Sequence, residues 1–188
     1  VLPSAINFLP VDLHRWDSGP GGDALIVPIW KDVRPLRGAA GMLDWRLNGK
    51  LSTWLKTGRL DGSAGEKMLF LTDRVVWGRV LTLGLGEAAN FAESELRASL
   101  ATAFEALRGI GARAAAIALP GRDADRISPD QALRILLSEV ERHDNQHGTS
   151  HLESLTVIDV PAAIKAMSET VREIQRALTS DSSVCFTL

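Results

Sequence analysis

Residues 24–27 read Ala-Leu-Ile-Val, an apolar run without polar alternation, so this segment reads as a buried central strand covered on both faces. A strand of that kind sits inside a layered α/β domain and cannot be accommodated in a half-exposed meander. Asp23 immediately precedes it. The segment Arg34-Pro35-Leu36-Arg37-Gly38-Ala39-Ala40-Gly41 follows, combining small residues with two arginines beside the expected start of a helix. Backbone N–H groups at such a place can cradle an anion. The unit has the layout of a ligand-binding edge and contains no obvious catalytic group.

The same strand-then-helix rhythm fills the chain. Residues 6–13 are a first strand candidate, ended by Asp17-Ser18-Gly19-Pro20-Gly21-Gly22, and residues 24–30 are the second. A helix is expected over 41–57, with Leu43, Leu47, Leu51, Trp54 and Leu55 on one face and Gly58 as its left-handed stop. Residues 67–72 and 75–83 read as two strands around Asp73-Arg74. Asn90 can cap the next helix with Glu93 as its capping-box partner, and Leu96, Leu100, Ala103, Phe104 and Leu107 recur at helical spacing. Residues 114–119 are another buried strand. Ser128 caps a helix with Pro129 in the favoured first position. Residues 155–160 form the last strand, and Pro161 opens a final helix with Ile164, Met167, Val171, Ile174 and Leu178 on one stripe. This order predicts a three-layer α/β/α sandwich around a mixed, mostly parallel sheet. A single domain over 1–178 is expected, with 179–188 as a flexible tail. Ligands on such sheets bind at loops after the strand C-termini, here 31–41, 84–90 and 120–128.

Composition removes several function classes. The formal charge is −2, from 21 basic and 23 acidic residues spread along the 188-residue chain, and there is no basic stripe to track phosphates. Nucleic acid is therefore not an expected partner. No apolar run approaches the roughly 18 residues of a membrane span, and the start VLPSAINFLPVDLHRW lacks a signal-like pattern. The expectation is a cytoplasmic protein without membrane contact. The single cysteine, Cys185, excludes an internal disulfide framework and any multi-cysteine zinc site.

The strings GDALIVPIW, MLDWRLNGKLSTWLKTG, RVLTLGLGEAANFAESELRASLATAFEAL and AAAIALPG, in this order over residues 22–121, resemble the N-terminal domain of the M17 leucyl aminopeptidases. That domain is similar in fold to macro domains, which bind ADP-ribose. The resemblance implies a macro-like fold. The aminopeptidase chemistry of the family resides in a separate C-terminal domain, whose Asn-Thr-Asp-Ala-Glu-Gly-Arg-Leu signature this sequence does not contain. No peptidase activity is expected from this chain alone.

The macro-domain pattern implies a set of ligand-binding residues: Asp23 toward an adenine amino group, Arg37, Gly38 and Gly41 in the first loop, Gly121 and Arg122 in the second. Asp23 has an equally physical role as a turn cap. Ala39 and Ala40 replace loop glycines and restrict close approach to a pyrophosphate. Pro28 stands where many macro domains carry an Asn. Asp123 and Asp125 would repel a diphosphate unless Arg122 and Arg126 pair with it. His143, His147 and His151 are spaced His-x-x-x-His-x-x-x-His, but Gly148 interrupts the helix and no zincin Glu follows the first, so no metal and no cofactor is expected. Gly84-Leu85-Gly86-Glu87-Ala88-Ala89 fits Gly-x-Gly-x-x-Ala, yet reads as a tight turn bringing the strand close to a neighbouring helix. The expected function is a non-catalytic interaction or regulatory module, a homo-oligomer or bound to a protein partner, with the exposed Trp45 as a candidate contact. The alternatives are a module binding ADP-ribose or a related nucleotide-like small molecule, and a fragment of a full-length metallo-aminopeptidase.

Overall fold

The computed structural model describes residues 5–19, 21–149 and 151–182. Six strands, β1 (Ala5–Pro10), β2 (Gly22–Ile29), β3 (Lys67–Leu71), β4 (Trp77–Gly84), β5 (Ala114–Ala118) and β6 (Ser154–Asp159), form one sheet in the order β1-β6-β5-β2-β4-β3. All pairings are parallel except β3 with β4. Six α-helices cover it: α1 (Leu13–Ser18), α2 (Gly38–Arg46), α3 (Lys50–Lys56), α4 (Glu93–Gly109), α5 (Pro129–His147) and α6 (Pro161–Ser182). The α/β sandwich with a mixed, mostly parallel sheet is therefore as the sequence predicts.

The central strand β2 explains the layering. Its Ala24 and Ile26 join Leu96, Leu100, Phe104, Leu133 and Met167 in the core beneath α4, α5 and α6. Its Leu25, Val27 and Ile29 join Trp16, Leu43, Leu51 and Trp54 in a second core beneath α1, α2 and α3. Alternate residues of one apolar run thus anchor opposite layers, as a doubly covered strand requires. No helix among the described residues is long and apolar enough to cross a membrane.

Several elements differ from expectation. The first strand stops at Pro10, and Asp12 then caps α1 by accepting hydrogen bonds from the His14 and Arg15 amides. The helix expected over 41–57 is two helices. Asn48 and Gly49 have φ of 54° and 77°, and the Asp44 carboxylate accepts from Ser52 N at 3.0 Å. Helix α4 begins at Glu93 rather than behind Asn90: Ala92 N donates to Glu95 at 3.0 Å, while Asn90 lies in a 3-10 turn. Helix α6 continues to Ser182, past the start of the expected tail. The side chain of Leu178, and Cys185, lie outside the described residues.

Gly84 and Gly86 let β4 approach a loop, not a helix. A Cβ at Gly84 would stand 2.0 Å from the Ser63 carbonyl oxygen. Gly109, at the end of α4, has open space around the same position. Gly84→Ala is expected to destabilise the fold by about 3 kcal/mol or more, read as a fall in Tm of roughly 6–12 °C. Gly109→Ala should stay within about 1 kcal/mol of wild type. Equal melting temperatures for the two variants would contradict this packing.

Candidate functional site

Parallel strands β2, β5 and β6 end at the same side of the sheet, and a cleft of about 270 Å³ opens there between the first turn of α2 and the loop after β5. Pro28, Ala118 and Ile158 form its apolar floor. Gly38, Ala39 and Ala40 supply one wall, and Arg122, Asp123, Asp125 and Asp159 supply charge. The position agrees with the loops expected from sequence.

The charges are largely committed to one another. Arg122 Nε donates to Asp159 Oδ2 at 2.9 Å and Arg122 Nη1 donates to the Ile127 carbonyl at 2.6 Å. Both side chains of this pair are about nine-tenths buried, at 10% and 9% exposure. The other Asp159 oxygen accepts from Val160 N at 2.7 Å. Asp123 Oδ1 accepts from the Trp30 indole at 2.8 Å, and Trp30 packs edge-on against Phe91. Burial pushes the Asp123 carboxyl above the usual carboxylate range, against the opposing pull of the Trp30 hydrogen bond. Three carboxylates and one guanidinium line the cleft.

The residues expected to bind ligand separate into three groups. Gly38 and Arg122 line the cleft. Arg37 is exposed beside it, where its charge acts on Asp123. Gly41 and Gly121 are spent on structure. The Gly41 amide donates to the Arg37 carbonyl inside α2 and is not offered to a ligand. Gly121 has φ of 84°, and a Cβ there would meet Phe91 at 2.6 Å. Arg126 does not reach the cleft but donates to the Ala89 carbonyl. Asp23 stands at the opposite end of β2, five residues from Pro28 and so about 17 Å away. It accepts from Arg113 N at 2.7 Å and Ala114 N at 3.0 Å, tying β5 to β2. Those two backbone bonds, with Arg79 nearby, hold its carboxyl below the usual range. It is the turn cap of the two roles open to it in sequence, and it does not share the cleft.

The N-terminal domain model of the cytosol aminopeptidase family matches residues 26–142. The chain belongs to that family. A probable cytosol aminopeptidase from Methylobacillus flagellatus is 34% identical over 98 residues, which is 52% of this chain and 20% of the relative. One from Pseudomonas syringae pv. tomato is 30% identical over 97 residues, 51% of this chain and 20% of the relative. The chain thus matches about a fifth of the length of these relatives. Among solved structures, a tomato leucine aminopeptidase mutant superposes with a TM-score of 0.59 at 18% identity, covering 89% of this chain and 36% of that one. A Trypanosoma brucei macrodomain in complex with ADP-ribose gives 0.68 at 18% identity, covering 89% and 68%. These two likenesses show that this chain has a macrodomain-like fold.

A raised carboxyl pKa in the folded state means that this state holds the Asp123 proton more tightly than the unfolded chain does. Its contribution to stability is therefore complete at low pH and declines as pH rises from about 4 through the raised folded value. Asp123→Asn keeps an acceptor for the Trp30 indole and removes the ionisation. Relative to wild type, the variant should gain stability as pH rises from about 4 through the raised folded value, measured by urea unfolding at each pH. A variant that loses ground over that interval would contradict the assignment.

Proposed function

We propose that this domain is a non-catalytic interaction module of an aminopeptidase assembly, contacting a protein partner or a second copy through the free edge of its sheet. The observation that carries this reading is β3. It is the last strand of the sheet, and along it Met68 and Phe70 pack inward, Phe70 edge-on against Trp54. Leu69 and Leu71 face outward at 46% and 75% exposure, with Val76 exposed in the following loop. Edge strands are ordinarily protected by charge, proline or cover, and β3 carries only Lys67. Paired apolar side chains beside unpaired backbone groups suit strand addition by another chain. Trp45, 64% exposed on α2, offers a second contact.

Peptide hydrolysis by a two-metal centre requires clustered carboxylates around its ions, and the matched family domain is the N-terminal one. In this reading hydrolysis belongs to a catalytic domain, on the same or a separate polypeptide, and the module supports its assembly or regulation in the cytoplasm. A nucleotide-binding role has the right cleft position but the wrong charge. The test is sedimentation equilibrium on wild type and on a Leu69→Glu, Leu71→Lys double variant. Wild type should associate or carry a copurified partner, and the double variant should be monomeric with Tm within about 2 °C of wild type, because exposed positions contribute little to stability. A wild-type chain that is strictly monomeric and partner-free would overturn the proposal.

A further inference from the structure

Outside the cleft lining, α5 presents His143 and His147 one turn apart, so the two rings stack on one side of the helix. Their centroids are 4.4 Å apart. The facing helix α4 brings Glu105 between them. Glu105 Oε1 lies 3.5 Å from Nε2 of His143 and 3.5 Å from Nε2 of His147. We propose that Glu105, His143 and His147 form a binding site for a zinc-type divalent cation that clamps α4 to α5, with solvent completing the coordination.

The spacing suits a metal better than an ion pair. Metal–ligand bonds of about 2.0–2.1 Å at tetrahedral angles place donor atoms roughly 3.3 Å apart. The three donors here all lie within 4.8 Å of one another, with both nitrogen–oxygen separations at 3.5 Å. Direct charge-assisted N–H···O bonds are shorter, about 2.7–2.9 Å, and two adjacent imidazolium rings would repel.

Tautomer and burial point the same way. His147 Nδ1 lies 2.9 Å from the His143 carbonyl oxygen, to which it donates in the tautomer that leaves Nε2 with a free lone pair. His143 is 7% exposed, and its Nε2, aimed at Glu105, has no hydrogen-bond partner. Burial, then the neighbouring His147, lower its pKa from the ordinary imidazole value. Asp144 Oδ1 stands 4.0 Å from the other ring nitrogen, Nδ1, beyond hydrogen-bond distance. Arg108 is the one opposing charge acting on His143 from α4. The third histidine of the sequence pattern, His151, takes no part in the triad. Its place is filled by a carboxylate from another helix.

The test is zinc titration of the untagged chain against a chromophoric chelator, with cobalt absorption as a report of coordination geometry. One equivalent should bind per chain, with the intense visible bands of tetrahedral cobalt. Glu105→Ala and His147→Ala, both at the rim of the site, should each weaken zinc by at least ~10-fold, and His14→Ala should leave it unchanged. His143 belongs to the core, so the rim variants carry the test. Absence of saturable zinc binding below roughly 1 mM, or wild-type affinity in both rim variants, would overturn the site.

Discussion

The buried pair between Arg122 and Asp159 is the constraint on which the ligand side of this domain depends. It joins the loop after β5 to the last residue of β6, and the Ile127 carbonyl holds the same guanidinium from within that loop. Removing one member would leave an uncompensated buried charge, typically a loss of about 3–5 kcal/mol. The pair also decides what the cleft can recognise. A guanidinium already bound to a carboxylate and a carbonyl has little left for a phosphate. Asp123, held by Trp30, and Asp125 line the same cleft, so the macro-type location carries three carboxylates with that paired guanidinium.

The contacts proposed here lie on other surfaces of the same fold. The sheet needs both helical layers, because β2 sends alternate side chains into two separate cores. That requirement ends at β3, where the inner face packs on Trp54 and the outer face is left bare. The edge strand and the α4–α5 clamp lie on regions that the cleft does not use.

The continuous apolar runs make β2 and β5 legible in the sequence, since such runs suit a strand covered on both faces. Helix breaks were less legible. Leu43, Leu47, Leu51 and Trp54 keep one helical stripe across the Asn48-Gly49 break because α2 and α3 pack on the same core, so periodicity ran on where the backbone did not. At α4 two acids follow potential caps at the same spacing. The chain uses Ala92 with Glu95, while Glu93 is engaged by Arg97 and Gln131. The family pattern implies a ligand contact for Asp23 beside its role as a turn cap, and the direction of β2 puts it at the strand end away from the cleft. The Arg122–Asp159 and Trp30–Asp123 bonds join residues 37 and 93 positions apart, and no local signal announces them. The same holds for Glu105, which joins His143 and His147 where the third histidine of the sequence pattern, His151, does not.

Titration of the full chain with ADP-ribose, followed calorimetrically and by backbone amide shifts, tests the central claim most directly. A cleft whose only lining arginine is internally paired predicts no saturable binding below roughly 1 mM. Micromolar binding with shifts concentrated at residues 38–40 and 122–125 would contradict it, because Arg122 would then be free to leave Asp159 for a phosphate.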